Sequence, residues 1–422
     1  MVSENSIFER LKGKKVLVLG FGREGRSSFS FINNNIPVAE LAVADRNAAA
    51  LSDVPVTSFS GEHYLDALND YDVVIKTPGI SLKDIDVDIS KITSQTDLFL
   101  EAFHSQIIGV TGTKGKSTTS SLIHHLLQSS GRKSFLVGNI GVPVFEIMDK
   151  VTSDSIIVFE LSAHQLQFIH RSPHVGILLN IFEEHLDHFG TFEAYSEAKK
   201  NIIAKMTADD WAVTSGELIG SVSHIPHIVN YESYPLDEDF GEMPLKGEHN
   251  RNNVRAALCA CHSFGVPVVE LLPSLKTFKP LEHRQELVGT FHGVSFYNDS
   301  ISTIPQATIA ANETIKDVTF LLLGGYDRNI DYSPLVEYLL KKKVPHLLFT
   351  GKAGQRIMMM LKEKHYDGDV DVFENLDEAF DIIRRKASVG DVCLLSPAAA
   401  SYDRYRNFEE RGSVFKSLAR AF

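Results

Sequence analysis

The stretch Ile107–Thr119, with the sequence IIGVTGTKGKSTT, decides how this chain of 422 residues is organised. It begins as an apolar strand, breaks into a glycine-rich loop and then opens a helix. Gly112 and Gly115 allow backbone N–H groups to turn toward an anion. Lys116 adds a positive charge, and Ser117 offers a hydroxyl group to Mg²⁺. The stretch therefore predicts a site for nucleotide phosphates at a helix N-terminus.

The spacing of this loop departs from the standard P-loop. The standard pattern has a glycine five residues before Gly115, whereas this chain has Val110 there and its nearest glycine is Gly109,. We therefore interpret the stretch as a shorter form of phosphate-binding loop.

The composition is that of a globular protein large enough for two to four domains. Hydrophobic residues make up 43% of the chain and charged residues 23%, and the formal net charge is −12,. That charge argues against nucleic acid or an anionic membrane as the main partner. The N-terminal residues lack the apolar segment of a signal peptide, and no run is long enough to span a bilayer. We expect a cytoplasmic protein, a monomer by default, with Cys259, Cys261 and Cys393 as core thiols.

A second glycine-rich turn lies near the N-terminus. The apolar run 15–19 is followed by GFGREG at 20–25, and Asp45 comes about 20 residues further on,. This spacing matches a dinucleotide site, in which the acidic residue binds a ribose. The same geometry also holds other diphosphates or packs a helix on a sheet, so NAD is one alternative among these. The turn TPG at 77–79 follows the next strand, at the edge where open α/β sheets bind ligands.

Polar residues follow three strands of the central region. Asn139 lies in the loop GNIG, Glu160 ends a buried strand, and His185 lies in the loop IFEEHLDH. Because these loops are expected beside the phosphate loop, Glu160 is a candidate to hold Mg²⁺ or its water, and His185 to share the site. A later helix carries the pair Lys199 and Lys200, which on the residues alone is a solvated basic face.

The last third of the chain alternates strands and helices. A hairpin is expected at 286–297, and apolar runs at 318–323, 346–350 and 392–395 alternate with helical stretches. This pattern predicts a mostly parallel, doubly wound sheet, and the whole chain is α/β.

The order of motifs along the whole chain resembles that of the Mur-type ligases, which use ATP to join an amino acid to a carboxylate. The motifs are GFGREG, TPG, GTKGKST, GNIG, ELSAHQL, FEEHLDHF, EAKK, GEHNRNN, EHR, NDS, LLGG and SPAAASYDRYRNFEERG. The first-domain turn and the closing motif point to the branch that adds glutamate to UDP-N-acetylmuramoyl-L-alanine in peptidoglycan precursor synthesis.

The resemblance implies three domains and one reaction. A Rossmann-like domain at 1–103 would bind the UDP-sugar, a P-loop-type ATPase domain would occupy 104–280, and a doubly wound Rossmann-like domain at 281–422 would bind the amino acid. ATP would convert the substrate carboxylate to an acyl phosphate, which the amine of glutamate then attacks, in an ADP-forming amide synthesis.

The resemblance also implies how ATP and metal are bound. Lys116 would contact the transferred phosphoryl group, and two Mg²⁺ ions are expected. Ser117 and Glu160 would hold one ion, and His185 the other together with a carbamylated Lys199. A carbamate is an anionic oxygen donor of the kind Mg²⁺ prefers, whereas an ammonium group would repel the ion. The implied ATP-binding residues are Gly112, Thr113, Gly115, Lys116, Ser117, Thr118, Asn250, Asn253, Arg284 and Asp299.

The same resemblance assigns residues to the other two substrates. Those expected at the UDP-sugar are Arg23, Glu24, Asp45, Arg46, Thr77, Pro78, Gly79, Asn139, Ser162, Gln165 and His185. Those expected at the glutamate are Thr303, Arg328, Ser401 and Phe408.

Two positions depart from the usual pattern of the glutamate-adding branch. Ile301 directly follows NDS, and Arg328 follows the GG pair after Tyr326 and Asp327; lysine is usual in both places in that branch. Compared with that pattern, position 301 has lost its cation, and position 328 carries a planar guanidinium group in place of an ammonium group. The two changes alter the geometry that the pocket offers to a carboxylate. Two hypotheses therefore stay open: addition of D-glutamate with Arg328 compensating, or addition of L-glutamate by an altered pocket. A third change, Lys114 where asparagine is frequent, adds positive charge near the phosphates without a clear consequence.

Other classes of protein account for fewer of these motifs. A non-catalytic nucleotide-binding protein would not need Glu160, His185 and Lys199, and a dehydrogenase would use the first glycine turn and ignore the second. A ligase of the same chemistry acting on a folate or a poly-amino acid is the main alternative. Competition by UDP-N-acetylmuramoyl-L-alanine distinguishes it from the glutamate-adding branch.

Overall fold

The computed structural model describes residues 2–83, 85–184, 186–222, 225, 227–234, 245, 247–279 and 281–422. The chain divides into two compact units, residues 1–278 and 279–422. Two sheets lie in the first unit and a third sheet lies in the second, which confirms the α/β fold class. The predicted limits between the three domains stay predictions.

The N-terminal part of the first unit is a parallel sheet with flanking helices. Its strands are β1 Lys15–Leu19, β2 Glu40–Asp45, β3 Thr57–Ser60, β4 Val73–Lys76 and β5 Ile92–Thr93. Its helices are α1 Val2–Leu11, α2 Arg23–Asn35 and α3 Gln95–Phe103. The described strands follow the order β3-β2-β1-β4-β5. Because β1 and β4 are parallel neighbours, the turns that follow them lie side by side.

The second sheet of this unit holds the phosphate loop. Its strands are β6 Ile107–Thr111, β7 Ser134–Gly138, β8 Ile156–Glu160, β9 Val175–Leu178, β10 Trp211–Thr214 and β11 His227–Asn230. The helices are α4 Lys116–Ser129, α5 Ala163–Leu166, α6 Leu186–Phe189, α7 Phe192–Ala204, α8 Glu248–Ser263 and α9 Val268–Leu275. The strands are parallel, in the order β11-β10-β9-β6-β8-β7 among described residues. The loops after β6, β8 and β9 therefore meet at one edge.

The second unit is a doubly wound sheet that begins with a hairpin. Its strands are β12 Glu286–Phe291, β13 Val294–Asn298, β14 Val318–Gly324, β15 His346–Thr350, β16 Asp369–Val372 and β17 Val392–Leu395. Its helices are α10 Pro305–Thr314, α11 Ser333–Lys342, α12 Gly351–Glu363, α13 Leu376–Lys386 and α14 Phe408–Arg420. β12 and β13 are antiparallel and the other pairs are parallel, in the order β12-β13-β17-β14-β15-β16. This confirms the predicted hairpin and doubly wound sheet.

The two sheets of the first unit share a hydrophobic core. One cluster contains Val18 from β1, Phe99 from α3 and Phe159 from β8, and the rings of Phe99 and Phe159 meet edge to face. A shared core of this kind holds the edges of the two sheets in a definite relation. The three cysteines are buried and free, as expected, and burial raises the pKa of the Cys261 thiol to about 12. No helix in the described ranges is both long and apolar enough to cross a membrane.

Candidate active site

The phosphate loop turns tightly between β6 and α4. Gly115 is the N-cap of α4 with φ of +86°, and a Cβ added there would overlap Asn253 Oδ1. Gly112 has φ of +158°, and its Cβ would lie 2.9 Å from Leu179 Cβ. Among the described residues no side chain caps α4, and its first turn contains no acidic residue. The N–H groups at this helix end are therefore suited to an anion.

Three lysine side chains surround this loop. Lys116 Nζ donates hydrogen bonds to two loop carbonyls, 2.9 and 3.1 Å away. Lys199 Nζ, from α7, donates to the carbonyl of Gly112 at 2.8 Å. Lys114 forms an ion pair with Glu184, with 3.2 Å between Nζ and Oε1. Lys116 thus adds positive charge at a helix N-terminus, an electrostatic setting suited to the phosphates of a nucleotide.

Lys199 has an unusual environment for a lysine. Only 2% of its surface is exposed. Burial lowers the pKa of Lys199 well below its ordinary value, and the charges of Lys116 and Lys114 act in the same direction, while Glu184 and Glu160 oppose them. A lysine held in this way carries a larger fraction of neutral, nucleophilic amine.

The neighbouring lysines of α7 differ in the way the family resemblance implies. Lys200 is partly exposed and pairs with Glu197 at 2.8 Å, so it is the solvated member. The interpretation of both as a solvated face is wrong for Lys199, which points into the loop. The difference arises because successive helical residues lie about 100° apart, so only one can face the sheet.

Glu160 offers an oxygen to a cation. It ends β8, is fully buried, and accepts a hydrogen bond at Oε1 from Asn139 Nδ2 at 2.8 Å. No hydrogen bond from a described residue reaches Oε2. A buried carboxylate oxygen without a donor is costly unless a cation binds it. The donor set, with the hydroxyl group of Ser117 on the adjacent helix, therefore fits a divalent cation that prefers oxygen ligands.

The other predicted ATP residues of the first unit also lie around the loop. Thr113, Thr118, Asn250 and Asn253 are buried, and Asn253 Nδ2 donates to Asn250 Oδ1 at 3.2 Å. His185, expected to hold the second metal ion, lies outside the described residues.

Two residues that shape the loop were missed in the sequence. Asn180, in the loop that follows β9, accepts a hydrogen bond from Lys114 N at 2.9 Å and donates to Lys114 O at 3.2 Å. Tyr195 OH lies 3.1 Å from Thr113 Oγ1. Asn180 was detectable as an amide at a strand end beside the loop. Tyr195 lies in a helix, and no local signal distinguishes it from a core aromatic residue.

Residues predicted at the UDP-sugar come together from both sheets of the first unit. Glu24, in the first turn of α2, accepts a hydrogen bond from Gln165 Nε2 at 2.7 Å. Arg23 Nη2 donates to the carbonyl of Gly141 at 2.8 Å. Gln165 and Ser162 form a capping box that begins α5 and orients the glutamine side chain,. Burial raises the pKa of Glu24, while Gln165 opposes the shift. These hydrogen bonds join α2 to elements of the second sheet.

Asp45 contacts the first glycine turn itself. Its Oδ2 accepts a hydrogen bond from Phe21 N at 2.6 Å, and its Oδ1 accepts one from Asn47 N at 2.8 Å. A Cβ on Gly25 would overlap the carbonyl oxygen of Gly20, so this glycine allows α2 to pack against β1,. The fingerprint spacing therefore has a structural role here.

The turn at 77–79 lies against the end of β1. Thr77 donates to the carbonyl of Leu19 through both its N–H, at 2.8 Å, and its hydroxyl group, at 3.0 Å. Pro78 and Gly79 follow in the same turn, and exposed Arg46 follows Asp45 at the end of β2.

The residues predicted at the glutamate lie at loop ends of the second unit. Arg328 Nη2 donates to the carbonyl of Thr303 at 2.8 Å, which joins the loops after β14 and β13. Ser401 is buried in the loop after β17, and Phe408 begins α14. One guanidinium nitrogen of Arg328 thus already donates a hydrogen bond within the protein.

Asp299, predicted to contact the nucleotide, is buried at the end of β13. Its oxygens accept hydrogen bonds from Ser396 Oγ at 2.7 Å and from Gln285 N at 3.1 Å. Burial raises the pKa of Asp299 to about 6, against the opposing effects of its hydrogen bonds and of the nearby Arg284.

Comparisons with known proteins agree with this geometry. Two family models match the chain, the Mur ligase middle domain at residues 110–218 and the Mur ligase, glutamate ligase domain at residues 283–399. A UDP-N-acetylmuramoylalanine–D-glutamate ligase of Symbiobacterium thermophilum is 34% identical over an alignment of 407 residues, which covers 89% of each chain. The chain belongs to the Mur ligase family.

Further relatives and a solved structure are similar to this Mur ligase over nearly its whole length. The D-glutamate ligase of Acetivibrio thermocellus is 32% identical and covers 98% of both chains. The MurF ligase of Thermotoga maritima in complex with ADP matches 98% of this chain and 96% of its own, with a TM-score of 0.62 at 18% identity. That likeness shows the three-domain fold of Mur ligases, whose members are ATP-dependent ligases.

Proposed function

We propose that this Mur ligase adds D-glutamate to UDP-N-acetylmuramoyl-L-alanine in the synthesis of peptidoglycan precursors. The observation that carries the proposal is the convergence of Lys116, Lys199 and Glu160 on an open helix N-terminus. This is the setting of phosphoryl transfer from ATP. The substrates are proposed from the relatives, which are named for this reaction.

The chemistry begins with activation of a carboxylate. A carboxylate oxygen of the UDP-linked substrate attacks the γ-phosphorus of ATP, ADP leaves, and an acyl phosphate results. Lys116 and the N–H groups of α4 stabilise the charge that develops on the phosphoryl oxygens. The amine nitrogen of glutamate then attacks the acyl carbon, phosphate leaves, and the nitrogen loses a proton to give the amide.

Two Mg²⁺ ions are part of the proposal. Ser117 and Glu160 would hold one, and the oxygen of Glu160 that lacks a described donor supports that fit. When bound, the ions would neutralise phosphate charge. Lys199 would be carbamylated: its neutral amine forms a bond to the carbon of CO₂ and loses a proton. The lowered pKa of Lys199 supports this step, and His185 stays a predicted ligand of the second ion.

The other substrate sites follow from the clusters described above. We propose that the UDP-sugar binds beside Arg23, Glu24 and Gln165, and that the glutamate binds at Thr303, Arg328, Ser401 and Phe408. Because ATP and UDP-sugars are cytoplasmic metabolites, we expect the enzyme to act in the cytoplasm, with a monomer as the default state.

One observation keeps L-glutamate as a second candidate. Ile301 removes a cation, and the guanidinium of Arg328 is partly used by the carbonyl of Thr303. The cation that remains for the carboxylates of glutamate is thus placed differently from a flexible lysine, and this can favour the other enantiomer.

The test is phosphate release with ATP, Mg²⁺ and UDP-N-acetylmuramoyl-L-alanine, comparing D-glutamate, L-glutamate and a panel of other amino acids. Reactions without nucleotide sugar and without amino acid serve as controls. Turnover with D-glutamate alone supports the proposal, and preference for L-glutamate makes positions 301 and 328 the specificity determinants. No turnover with any amino acid refutes the proposed substrate pair.

A further inference from the structure

Arg411 is a buried arginine that no predicted role includes. It lies in the first half of α14, and only 4% of its surface is exposed. Nε donates to Ser300 Oγ at 3.0 Å, and Nη2 donates to the carbonyls of Ser300 at 2.8 Å and Ala399 at 3.1 Å. Nη1 donates to the carbonyl of Ala400 at 3.4 Å. The guanidinium thus joins the loop after β13 to the loop after β17.

These contacts extend to a third loop and to the start of α14. The carbonyl of Ala400 also accepts a hydrogen bond from Tyr326 N at 2.9 Å, which attaches the loop after β14. Ser300 Oγ, which accepts from Arg411, donates to the carbonyl of Phe408 at 2.8 Å. Thr303, Arg328, Ser401 and Phe408 therefore all lie on segments that the Arg411 network ties together.

The held segments include a strained turn. Ala398 has φ of +54°, a left-handed conformation that an L residue with a side chain adopts only where the surroundings impose it,. The next two carbonyls are the ones that Arg411 binds. Burial lowers the pKa of Arg411 to about 10, while Asp403 favours the charged form, so the side chain stays charged at neutral pH.

We propose that Arg411 is a positioning residue that fixes the amino-acid pocket and sets its affinity and stereochemical preference. The inference rests on the proposed function, because it concerns the pocket for the added amino acid. Arg411 acts through the loops that carry Thr303, Arg328 and Ser401, and it does not itself contact the substrate.

The sharpest variant is Arg411→Lys. Lysine keeps the charge but offers three donors at one point, whereas Arg411 uses four of five donors in a rigid fork,. Because small displacements of positioning groups are costly, we expect the KM for the amino acid to rise about 10- to 100-fold. The KM for ATP should change less than about threefold, and discrimination between D- and L-glutamate should fall.

Two further variants make the test independent of folding. Arg420→Lys changes an exposed arginine of the same helix and should leave all constants unchanged. Ser300→Ala removes a neutral acceptor of Arg411 and should raise the KM for the amino acid several-fold, even where Arg411→Lys folds poorly. Lower thermal stability of Arg411→Lys with an unchanged amino-acid KM would mean a merely structural role and would overturn the inference.

Hydrogen exchange separates this inference from the proposed function. If the wild type turns over no amino acid, the proposed function fails, and exchange of backbone amides in 300–303, 326–328 and 398–401 then decides the role of Arg411. Faster exchange in Arg411→Lys but not in Arg420→Lys supports positioning of these loops. Equal exchange in the two variants overturns it.

Discussion

Two glycine turns of the first unit both connect a strand to a helix, and they differ in charge. Each follows an inner strand of a parallel sheet and opens a helix whose first residue is basic, Arg23 in α2 and Lys116 in α4. The first turn of α2 contains Glu24, and a carboxylate oxygen of Asp45 accepts a hydrogen bond from the loop. The first turn of α4 contains no acid, and lysines from two segments bind its loop.

The comparison shows that the residues around a glycine turn, and not its glycines alone, set the local charge. A helix N-terminus attracts anions, and at the GFGREG turn the carboxyl groups of Glu24 and Asp45 already lie beside it,. At the second turn the helix end lies beside Lys116 and near the buried carboxylate Glu160, which we propose as a metal ligand. The motif GFGREG, which suggests NAD when taken alone, thus allows α2 to pack on β1, and its Arg23 and Glu24 stay proposed contacts of the UDP-sugar.

Replacing either of the two cations that begin these helices, Lys116 or Arg23, should have the largest effect on catalysis. Lys116→Met should lower kcat/KM by about 10³-fold or more, because phosphoryl transfer loses its central charge. Arg23→Met should raise mainly the KM for the UDP-linked substrate, by about tenfold. Steady-state kinetics with each substrate varied in turn measures both. Equal losses of kcat in the two variants would remove the distinction between the turns.

Replacing the carboxylates beside the two glycine turns should have the second-largest effect, and the effect should differ between the turns. Glu160→Gln should lower kcat by about 10²-fold and raise the Mg²⁺ concentration for half-maximal rate, because it removes an anionic metal ligand. Glu24→Gln is the matched change at the first turn and should leave the Mg²⁺ dependence as it is. A Mg²⁺ titration of each variant measures this, and an unchanged titration for Glu160→Gln would contradict the metal assignment.

Alanine substitutions at Gly25 and Gly22 of the GFGREG turn should distinguish a role in helix packing from a role in ligand approach. Gly25→Ala should lower the free energy of unfolding by about 2–4 kcal/mol, because its Cβ overlaps the carbonyl of Gly20,. Gly22→Ala, with nothing within 4 Å of its Cβ, should cost less than about 1 kcal/mol,. Urea denaturation measures both. Similar losses in the two variants would argue against a packing role for Gly25.

The smallest effect is expected from a buried cation beside the first turn. Lys76 ends β4 with 3% of its surface exposed, and burial lowers its pKa to about 8, with Glu24 opposing the shift. Because this pKa lies below the ordinary value of 10.5, the unfolded state binds the proton more readily between these values, and stability rises with pH across that window,. Below a pH of about 8 Lys76 is charged in the folded state, so the full cost of burying its charge is present,.

Lys76→Met should abolish that rise. At neutral pH its free energy of unfolding should be about 1–3 kcal/mol higher than that of the wild type. Lys14→Met, at an exposed position, is the matched control. Denaturation at pH values from 7 to about 10.5 checks the prediction. Parallel curves for Lys76→Met and the wild type would show that Lys76 does not titrate in this window.

The parts of the fold that the sequence predicts depend on short-range signals. Threonine is a residue type that favours helix N-caps, and Thr191 Oγ1 accepts a hydrogen bond from Ala194 N at the start of α7,. The hairpin around 292–293 and the phosphate loop are likewise encoded within a few residues. Such elements follow from local backbone preference and from the alternation of apolar residues, which are visible along the chain.

The amino-acid sequence by itself determined the α/β class, the phosphate loop and the motifs of a Mur ligase. Only the tertiary structure decided that Lys199 is buried and Lys200 is not, that Asp45 binds its own glycine turn, and that Arg411 joins the loops after β13 and β17. The physical reason is that burial, pKa and long-range hydrogen bonds depend on which elements cover a side chain. That covering is set by packing between segments far apart in the chain, such as positions 300 and 411,.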